Sequence, residues 1–436
     1  MPKTYHSVRL EKERCRGCTT CLKRCPTEAI RVWDGRAHIL DERCIDCGEC
    51  INVCPYHAKV ATTDALSSIS RFPYRIALPA PTLYGQFRGV ACIDDILTGL
   101  LHLGFDAVFE VARGADIVSK AIMDALRHKT LPKPLISAAC PAIVRLIQVR
   151  FPDLIDHIVD IRQPMEVAAL VAKREFCQAN DVPEDQVGCF FITPCPAKVT
   201  AIRNPIGHEL SALDGAISIL EIYGMLSAKI RKPMPTEKLA TSTLFGVGWA
   251  KGGGECAALH AENSLAVGGI EHVIRVLEEM ENNKLSDLEY FEGQACIGGC
   301  VGGALTFENS YIAKNAIRKL MAPMPDLSPD VAVDTKYLRN YPLYNTLPIL
   351  PSSIMRLDED IGEAMRKLEQ IETITKTLPG YDCGACGSPT CHALAEDMAL
   401  GFAGEMDCIH KLKGRLQDMA QQMLEISHTP RTPRAK

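Results

Sequence analysis

Between about residues 72 and 350 the chain alternates short apolar runs with longer amphipathic ones. The segments "RIALPAP" (75–81) and "FDAVFEV" (105–111) have the length and apolar density of buried strands. Between them, "IDDILTGLLHLG" (93–104) spaces its apolar residues at helical intervals. "KPLISAAC" (133–140) and "GCFFITPC" (188–195) predict two further apolar strands, each ending at a cysteine, and "GAISILEIYGMLSAKI" (215–230) predicts a helix. Strands that alternate with helices predict an α/β domain with a mainly parallel sheet. Ligands in such folds collect beyond the carboxyl ends of the strands, and Cys140 and Cys195 fall there.

The pattern changes at both ends. "AIRVWDGRAHIL" (29–40) predicts two short strands around an Asp-Gly turn. A helix is predicted over about 356–376, stopped by Leu378-Pro379-Gly380. "EDMALGFAG" (396–404) and "HKLKGRLQDMAQQMLEISH" (410–428) predict two more helices. "TPRTPRAK" predicts a disordered tail. The organisation read from these shifts is an N-terminal module at 1–66, a central domain at 72–350, a linker helix at 351–377, a C-terminal module at 378–425 and a tail at 426–436.

Composition narrows the class. Apolar residues make up 47% and charged residues 23% of the 436, as in a globular protein with a sizeable core. A net charge of -5 is too mild to imply a nucleic-acid partner, and no apolar run reaches the length of a membrane span. The first residues lack the apolar stretch of a signal peptide, so the cytoplasm is the expected compartment. In a reducing cytosol, twenty cysteines read as metal ligands rather than disulfides.

Eight of them form two copies of C-x2-C-x2-C-x3-C-P with a period of 29 residues: Cys15, Cys18, Cys21, Cys25 and Cys44, Cys47, Cys50, Cys54. Such spacing wraps three thiolates around one face of a cubane, and in two-cluster ferredoxins the fourth cysteine ligates the other cluster. The expected sets are therefore Cys15, Cys18, Cys21 with Cys54, and Cys44, Cys47, Cys50 with Cys25. Zinc is the alternative metal, disfavoured by the close spacing and the terminal proline. The module carries 11 Lys and Arg against 8 Asp and Glu in residues 1–60, a surface suited to an acidic, ferredoxin-like electron carrier. Near the other end, Cys383, Cys386, Cys391 and Cys408 form a C-x2-C-x4-C-x16-C set. It resembles a small 4Fe–4S domain of redox and corrinoid iron–sulfur proteins, with zinc again the alternative.

A fourth set is split over three segments: Cys140, Cys195, and Cys296 with Cys300 in the glycine-rich "EGQACIGGCVGGA" (292–304). "SAACPA", "TPCPAK" and "EGQACIGGCVGG" resemble the three H-cluster signatures of FeFe hydrogenases, supported by "LGFDAVFEVARGAD" (103–116), "QPME" (163–166) and, more loosely, "GWAKGGGECAAL" (248–259). The resemblance covers roughly 75–310. It implies an α+β dicluster ferredoxin module, an α/β H-cluster domain with mainly parallel sheets, and a small, mostly helical C-terminal 4Fe–4S domain. It also implies four 4Fe–4S clusters, one of them bridged to a binuclear iron subcluster with CO and CN ligands. Carried over, Cys140, Cys195, Cys296 and Cys300 hold that cubane, with Cys300 as the bridge. Lys198 hydrogen-bonds a cyanide ligand, and Pro164 lines the binuclear pocket. Dedicated maturases deliver the binuclear group.

The chain departs from the hydrogen-producing members at one telling position. Ala139 stands where they have a cysteine that shuttles protons, and a methyl group cannot exchange a proton. The relay carboxylates fall at Ala121 and Ala125, the relay serine near "QPME" is absent, and two pocket methionines become Thr193 and Gln294. General acid–base help is worth 10²–10⁴-fold, so turnover of H2 to protons and electrons, in either direction, is expected to fall by about that order. This pattern resembles the sensory FeFe hydrogenases and implies a hydrogen or redox sensor signalling to a separate protein. Two other readings stay open: a cubane-only electron-transfer or scaffold protein without a binuclear site, and a fast ferredoxin-linked hydrogenase with another proton route. Cys92, Cys177, Cys189 and Cys256 read as core thiols, and "KGGGE" as a tight turn.

Overall fold

The computed structural model describes residues 5–127, 132–231, 235–352, 357–358 and 360–428. The chain divides into two compact units built from interleaved segments. The larger comprises Met1–Arg9, Cys44–Asn52 and Lys59–Ser353, and the smaller Leu10–Arg43, Val53–Ala58 and Ile354–Lys436. Among the described residues no helix is long and apolar enough to cross a membrane.

In chain order the strands are β1 (Val8–Leu10), β2 (Ile30–Trp33), β3 (Arg36–Ile39), β4 (Lys59–Ala61), β5 (Tyr74–Pro79), β6 (Ala107–Val108), β7 (Leu135–Ile136), β8 (Val187–Thr193), β9 (Gly215–Ser218), β10 (Ser264–Gly268) and β11 (Tyr290–Gln294). The larger unit carries two parallel sheets, ordered β6-β5-β8-β9 and β10-β11-β7. β8 is buried at every residue, as its unbroken apolar run requires of a parallel strand covered on both faces. The helices Val111–Leu126 and Pro164–Asn180 cross so closely that a Cβ on Gly114 would meet the Pro164 carbonyl oxygen at 2.4 Å. A small residue at 114 thus fixes where Pro164 begins its helix.

One prediction needs correction. Residues 215–230 are not one helix: Gly215–Ser218 form β9 alongside β8, and the helix begins at Ile219, capped by the Ser218 hydroxyl accepting from the Glu221 amide. A vacant parallel edge beside β8 overrides the helical spacing of those four residues.

In the smaller unit β2 and β3 pair antiparallel across Asp34-Gly35. The helix Ile361–Thr377 packs against Cys391–Ala399 around a small core of Ile371, Leu378, Leu394, Ala395 and Cys408. The Cys391 helix stops at Ala399, short of the expected 404, because Gly401 takes the left-handed conformation (φ 79°). The last helix, Ile409–His428, is exposed along its length and reaches three residues into the expected tail; 429–436 lie outside the described residues.

This unit is held by charge as well as packing. Arg31 is fully buried and grips Asp397 with two bonds, Nε to Oδ2 at 2.6 Å and Nη2 to Oδ1 at 3.0 Å. The Ser388 hydroxyl adds a third donor to Asp397 at 2.8 Å, and Arg43 pairs with Glu396. The Val32 amide donates to the Gly387 carbonyl at 2.8 Å. A Cβ on Gly387 would meet the Val32 oxygen at 2.0 Å, so only glycine lets the Cys383–Cys391 loop lie on β2.

Candidate metal centre

Cys140 and Cys195 are built alike. Each ends the segment after a parallel strand and caps a helix whose first residue is proline: Pro141–Arg150 after β7, Pro196–Arg203 after β8. Proline at this position loses no hydrogen bond, and the helix terminus turns its positive end towards the thiol. Cys296 and Cys300 follow β11, so three loops converge from the carboxyl ends of strands in both sheets. The third loop needs its glycines. Gly298 and Gly299 have φ of 84° and 99°, and a Cβ on Gly299 would lie 2.3 Å from the Gly252 nitrogen. Gly252 donates to the Gly298 carbonyl at 2.9 Å, Val301 to Ala250 at 3.1 Å, and Leu305 to Pro194 at 2.9 Å. The "KGGGE" segment is therefore the strap over the third loop, beyond its sequence reading as a turn.

Burial raises the thiols of Cys195 and Cys296 above the ordinary range and that of Cys300 to about 12. Each is raised further by neighbouring members of the same set, and Lys198 opposes the shift at Cys195 and Cys300. Three partly exposed thiols raised in this way, with Cys140 among them and the Lys198 ammonium beside them, match the donor set of a metal cluster, whose iron supplies the missing positive charge.

The loop of Cys44, Cys47 and Cys50 lies against this centre. A Cβ on Gly48 (φ 80°) would meet Ala304 at 2.9 Å and Pro196 at 3.0 Å. Asp46 anchors that loop, accepting from the Ser7 amide at 3.1 Å and the Val8 amide at 2.9 Å, with His6 at 2.7 Å. Among the described residues His6, Cys44 and Asp46 form the tight cluster of potential metal donors, and the bonds to Asp46 account for it as a loop anchor.

Beside the thiols is a cavity of about 50 Å³, lined by Ala139, Cys140, Pro164, Lys198, Gln294 and Cys300 among others. Four of the five expected pocket residues thus meet two of the four cysteines. Thr193 is placed differently: fully buried, it accepts from the Cys195 amide at 3.3 Å and donates to the Cys195 carbonyl at 3.1 Å, bracing the loop from beneath. Lys198 Nζ donates to the Ala139 carbonyl at 3.0 Å. Gln294 Oε1 and Thr82 Oγ1, from residues that line the cavity, are buried with no hydrogen-bond partner among the described residues. Orphaned polar atoms in an apolar cavity next to cluster thiols fit a group that brings its own polar ligands.

Ala121 and Ala125 both belong to the Val111–Leu126 helix, Ala121 in the core. Sequence reading missed another set. Glu255 accepts from Ser137 Oγ at 2.7 Å and Tyr290 Oη at 2.6 Å, and Ser137 Oγ accepts the Ala139 amide at 3.1 Å. Glu292 accepts the amides of Gly253 and Cys256, each at 2.9 Å. Burial first, then the charge of Glu292, pushes Glu255 up to about 8, and burial raises Glu292 as well. Glu255, Ala139, Gln163, Pro164 and Trp249 line a second cavity of about 10 Å³, and Gln163 Oε1 is buried without a partner among the described residues. The signal in the sequence was two glutamates within glycine-rich apolar segments, which reads as turn chemistry until the strands bring them together.

Comparison with known proteins agrees with this architecture. Residues 74–264 match the iron-only hydrogenase large subunit, C-terminal domain; 7–55 match a 4Fe-4S dicluster domain, and 378–410 an Fe-S cluster domain. The chain is 24% identical over 270 residues to iron hydrogenase 1 of Clostridium pasteurianum, covering 51% of this chain and 46% of that protein. It is 24% identical over 345 residues to the NADP-reducing hydrogenase subunit HndD of Solidesulfovibrio fructosivorans, covering 66% and 55%. A shorter match, 26% over 136 residues, covers 29% of this chain and 27% of the cytosolic Fe-S cluster assembly factor NAR1 of Yarrowia lipolytica. The chain thus spans about half the length of the two hydrogenases. A solved structure of the FeFe hydrogenase HydA1 of Chlamydomonas reinhardtii superposes with a TM-score of 0.50 at 15% identity, covering 66% of this chain and 95% of that one. Two parallel sheets with three cysteine loops at their carboxyl edge, joined to a dicluster ferredoxin domain, make this iron–sulfur protein similar to the FeFe hydrogenases, and residues 74–264 carry their large-subunit domain.

Proposed function

We propose that the chain holds an H-cluster and interconverts H2 with protons and electrons slowly, as a hydrogen or redox sensor rather than a bulk catalyst. Cys140, Cys195, Cys296 and Cys300 would hold the central cubane, with Cys300 lining the cavity that would take the binuclear group. The two N-terminal sets and Cys383, Cys386, Cys391 and Cys408 hold three more. The binuclear group, with its CO and CN ligands, supplies the chemistry of splitting and forming H2. The observation that carries the reading is the cavity in which Lys198 and the unpartnered Gln294 Oε1 stand beside Cys140 and Cys300. A fixed ammonium in an apolar cavity orients an anionic ligand and holds its charge.

The chain's own residues supply a proton path in place of the missing thiol. A Glu255 carboxyl raised to about 8 is protonated at neutral pH. A proton on Oε2 reverses its bond with Ser137, whose hydroxyl then accepts from Glu255 and turns its own hydrogen away. The second cavity holds about one water, between Glu255, Gln163 and the methyl of Ala139. That water takes the place of the absent thiol, with Glu292 as the proton store behind Glu255. Such a path is slower than a thiol at the reacting site.

Partners in this reading are H2, protons, a ferredoxin-like electron carrier, the maturases and a separate signalling protein, in the cytoplasm. The test is infrared spectroscopy on protein matured with the binuclear group, under H2 and then under inert gas. CO and CN bands that shift with H2 are expected. A full complement of cubane iron without such bands overturns the reading and leaves an electron-transfer or scaffold protein on this fold, the alternative that the match to an assembly factor keeps in view.

A further inference from the structure

The 29-residue repeat of the ferredoxin domain breaks at one core position. Counting five residues on from the last cysteine of each copy gives Ile30 in the first and Lys59 in the second. Both are 2% exposed. An aliphatic residue belongs there, and the second copy buries an ammonium instead. Lys59 Nζ has no hydrogen-bond partner among the described residues. A buried cation without a counter-charge costs several kcal/mol, and among the described residues no carboxylate or carbonyl bonds to this one. Lys59 opens β4, which packs against the short helix Glu49–Asn52 that carries Cys50. The loop of Cys44, Cys47 and Cys50 in turn lies on Pro196 and Ala304 at the central metal centre, through Gly48.

We infer that Lys59 is the built-in counter-charge of the cubane on Cys44, Cys47 and Cys50, and that it sets this cluster as the electron acceptor next to the central site. A cubane with four thiolates carries roughly -2 when oxidised and one charge more when reduced. The one-electron step moves an electron from the central site to this cubane, with no proton taken up. An ammonium fixed in a dry interior attracts the reduced form more than the oxidised one, and raises the cluster's reduction potential. Ile30, at the matching position of the other copy, supplies no such charge. The two halves of a nearly symmetrical module are thereby made electrically unequal, with electrons drawn towards the half beside the central site. The inference rests on the dicluster assignment and not on the hydrogen chemistry proposed above.

The test is an EPR-monitored redox titration of the full-length chain with its 4Fe–4S clusters and without the binuclear group. Lys59→Met is expected to leave the iron content unchanged. It should lower the reduction equilibrium constant of one N-terminal cluster at least tenfold, which is 59 mV for a one-electron couple. Lys59→Arg, which keeps the charge, should stay near the native value. Loss of that cluster's iron in Lys59→Met but not in Lys59→Arg would also support a required counter-charge. Full iron with unchanged potentials in Lys59→Met overturns the inference, and so does loss of iron in both variants, which would mark Lys59 as needed for shape alone. Because the titration reads cubanes only, neither outcome depends on whether the chain reacts with H2.

Discussion

At the scale of single residues, one methyl group stands between the two cavities of the centre. Ala139 lines both the cavity beside the cysteines and the smaller one beside Glu255, so a thiol at 139 would stand between them. Ala139→Cys is expected to raise H2 turnover by about 10²-fold or more, measured on matured protein by dye-linked H2 oxidation. No gain would place the block elsewhere. Glu255→Gln should lower the turnover of the native chain by a similar factor, because an amide cannot pass a proton on. It should also change stability in a direction fixed by the charge. The folded-state value of about 8 lies above the ordinary 4.5. Between those values the folded chain keeps a proton that the unfolded chain has released, so stability is full below about 4.5 and falls as pH rises towards 8. Denaturant titrations at pH 5 and pH 8 should show a smaller fall in Glu255→Gln than in the native chain. The meeting of Cys140, Cys195, Cys296 and Cys300 beside Lys198 was legible from spacing and resemblance because these residues sit in short local signatures. Glu255 and Glu292 were not, because their pairing comes from a strap after one helix meeting a strand some forty residues later, and no local pattern encodes that meeting.

At the scale of elements, strands predicted from apolar runs were legible, and so was the position of Cys140 and Cys195 at their ends. Two things were not. The first four residues of the 215–230 segment carry helical spacing yet form a strand, because β8 offers an unpaired edge. The segment after β11 reads in sequence only as glycine-rich, whereas the structure shows what its glycines clear: Gly299 passes the Gly252 backbone, and Gly303 passes the Pro194 oxygen, which a Cβ would meet at 2.4 Å. Gly299→Ala therefore faces both a clash and a left-handed backbone, a strain of about 1–3 kcal/mol before the clash is counted. The expected outcome is a lower Tm, together with loss of one cubane's worth of iron, read by iron analysis. Gly224 is a control, since a Cβ there meets nothing within 4 Å. Gly224→Ala should keep its iron.

At the scale of the whole molecule, the smaller unit unites cysteines from the two ends of the sequence. Cys15, Cys18, Cys21, Cys25 and Cys54 share it with Cys383, Cys386, Cys391 and Cys408. Its two halves are joined by Arg31 and Asp397, a pair that burial makes expensive unless both partners are present. Removing one charge of a buried pair costs about 3–5 kcal/mol, more than the intact pair contributes, because the other charge is left unpaired. Asp397→Asn keeps the shape of the side chain and removes its charge, leaving Arg31 fully buried with only an amide before it. If the C-terminal cubane feeds electrons to the first N-terminal cluster, the seam between them is part of the electron path, and loosening it has a kinetic consequence as well as a thermodynamic one. Asp397→Asn should lose stability on that scale in denaturant titrations, and reduction of the chain by an external ferredoxin should slow. The infrared response to H2 proposed for the larger unit should remain. A stability loss with an unchanged rate of reduction would show that electrons enter at the N-terminal clusters directly, and that the C-terminal domain secures β2 rather than extending the wire.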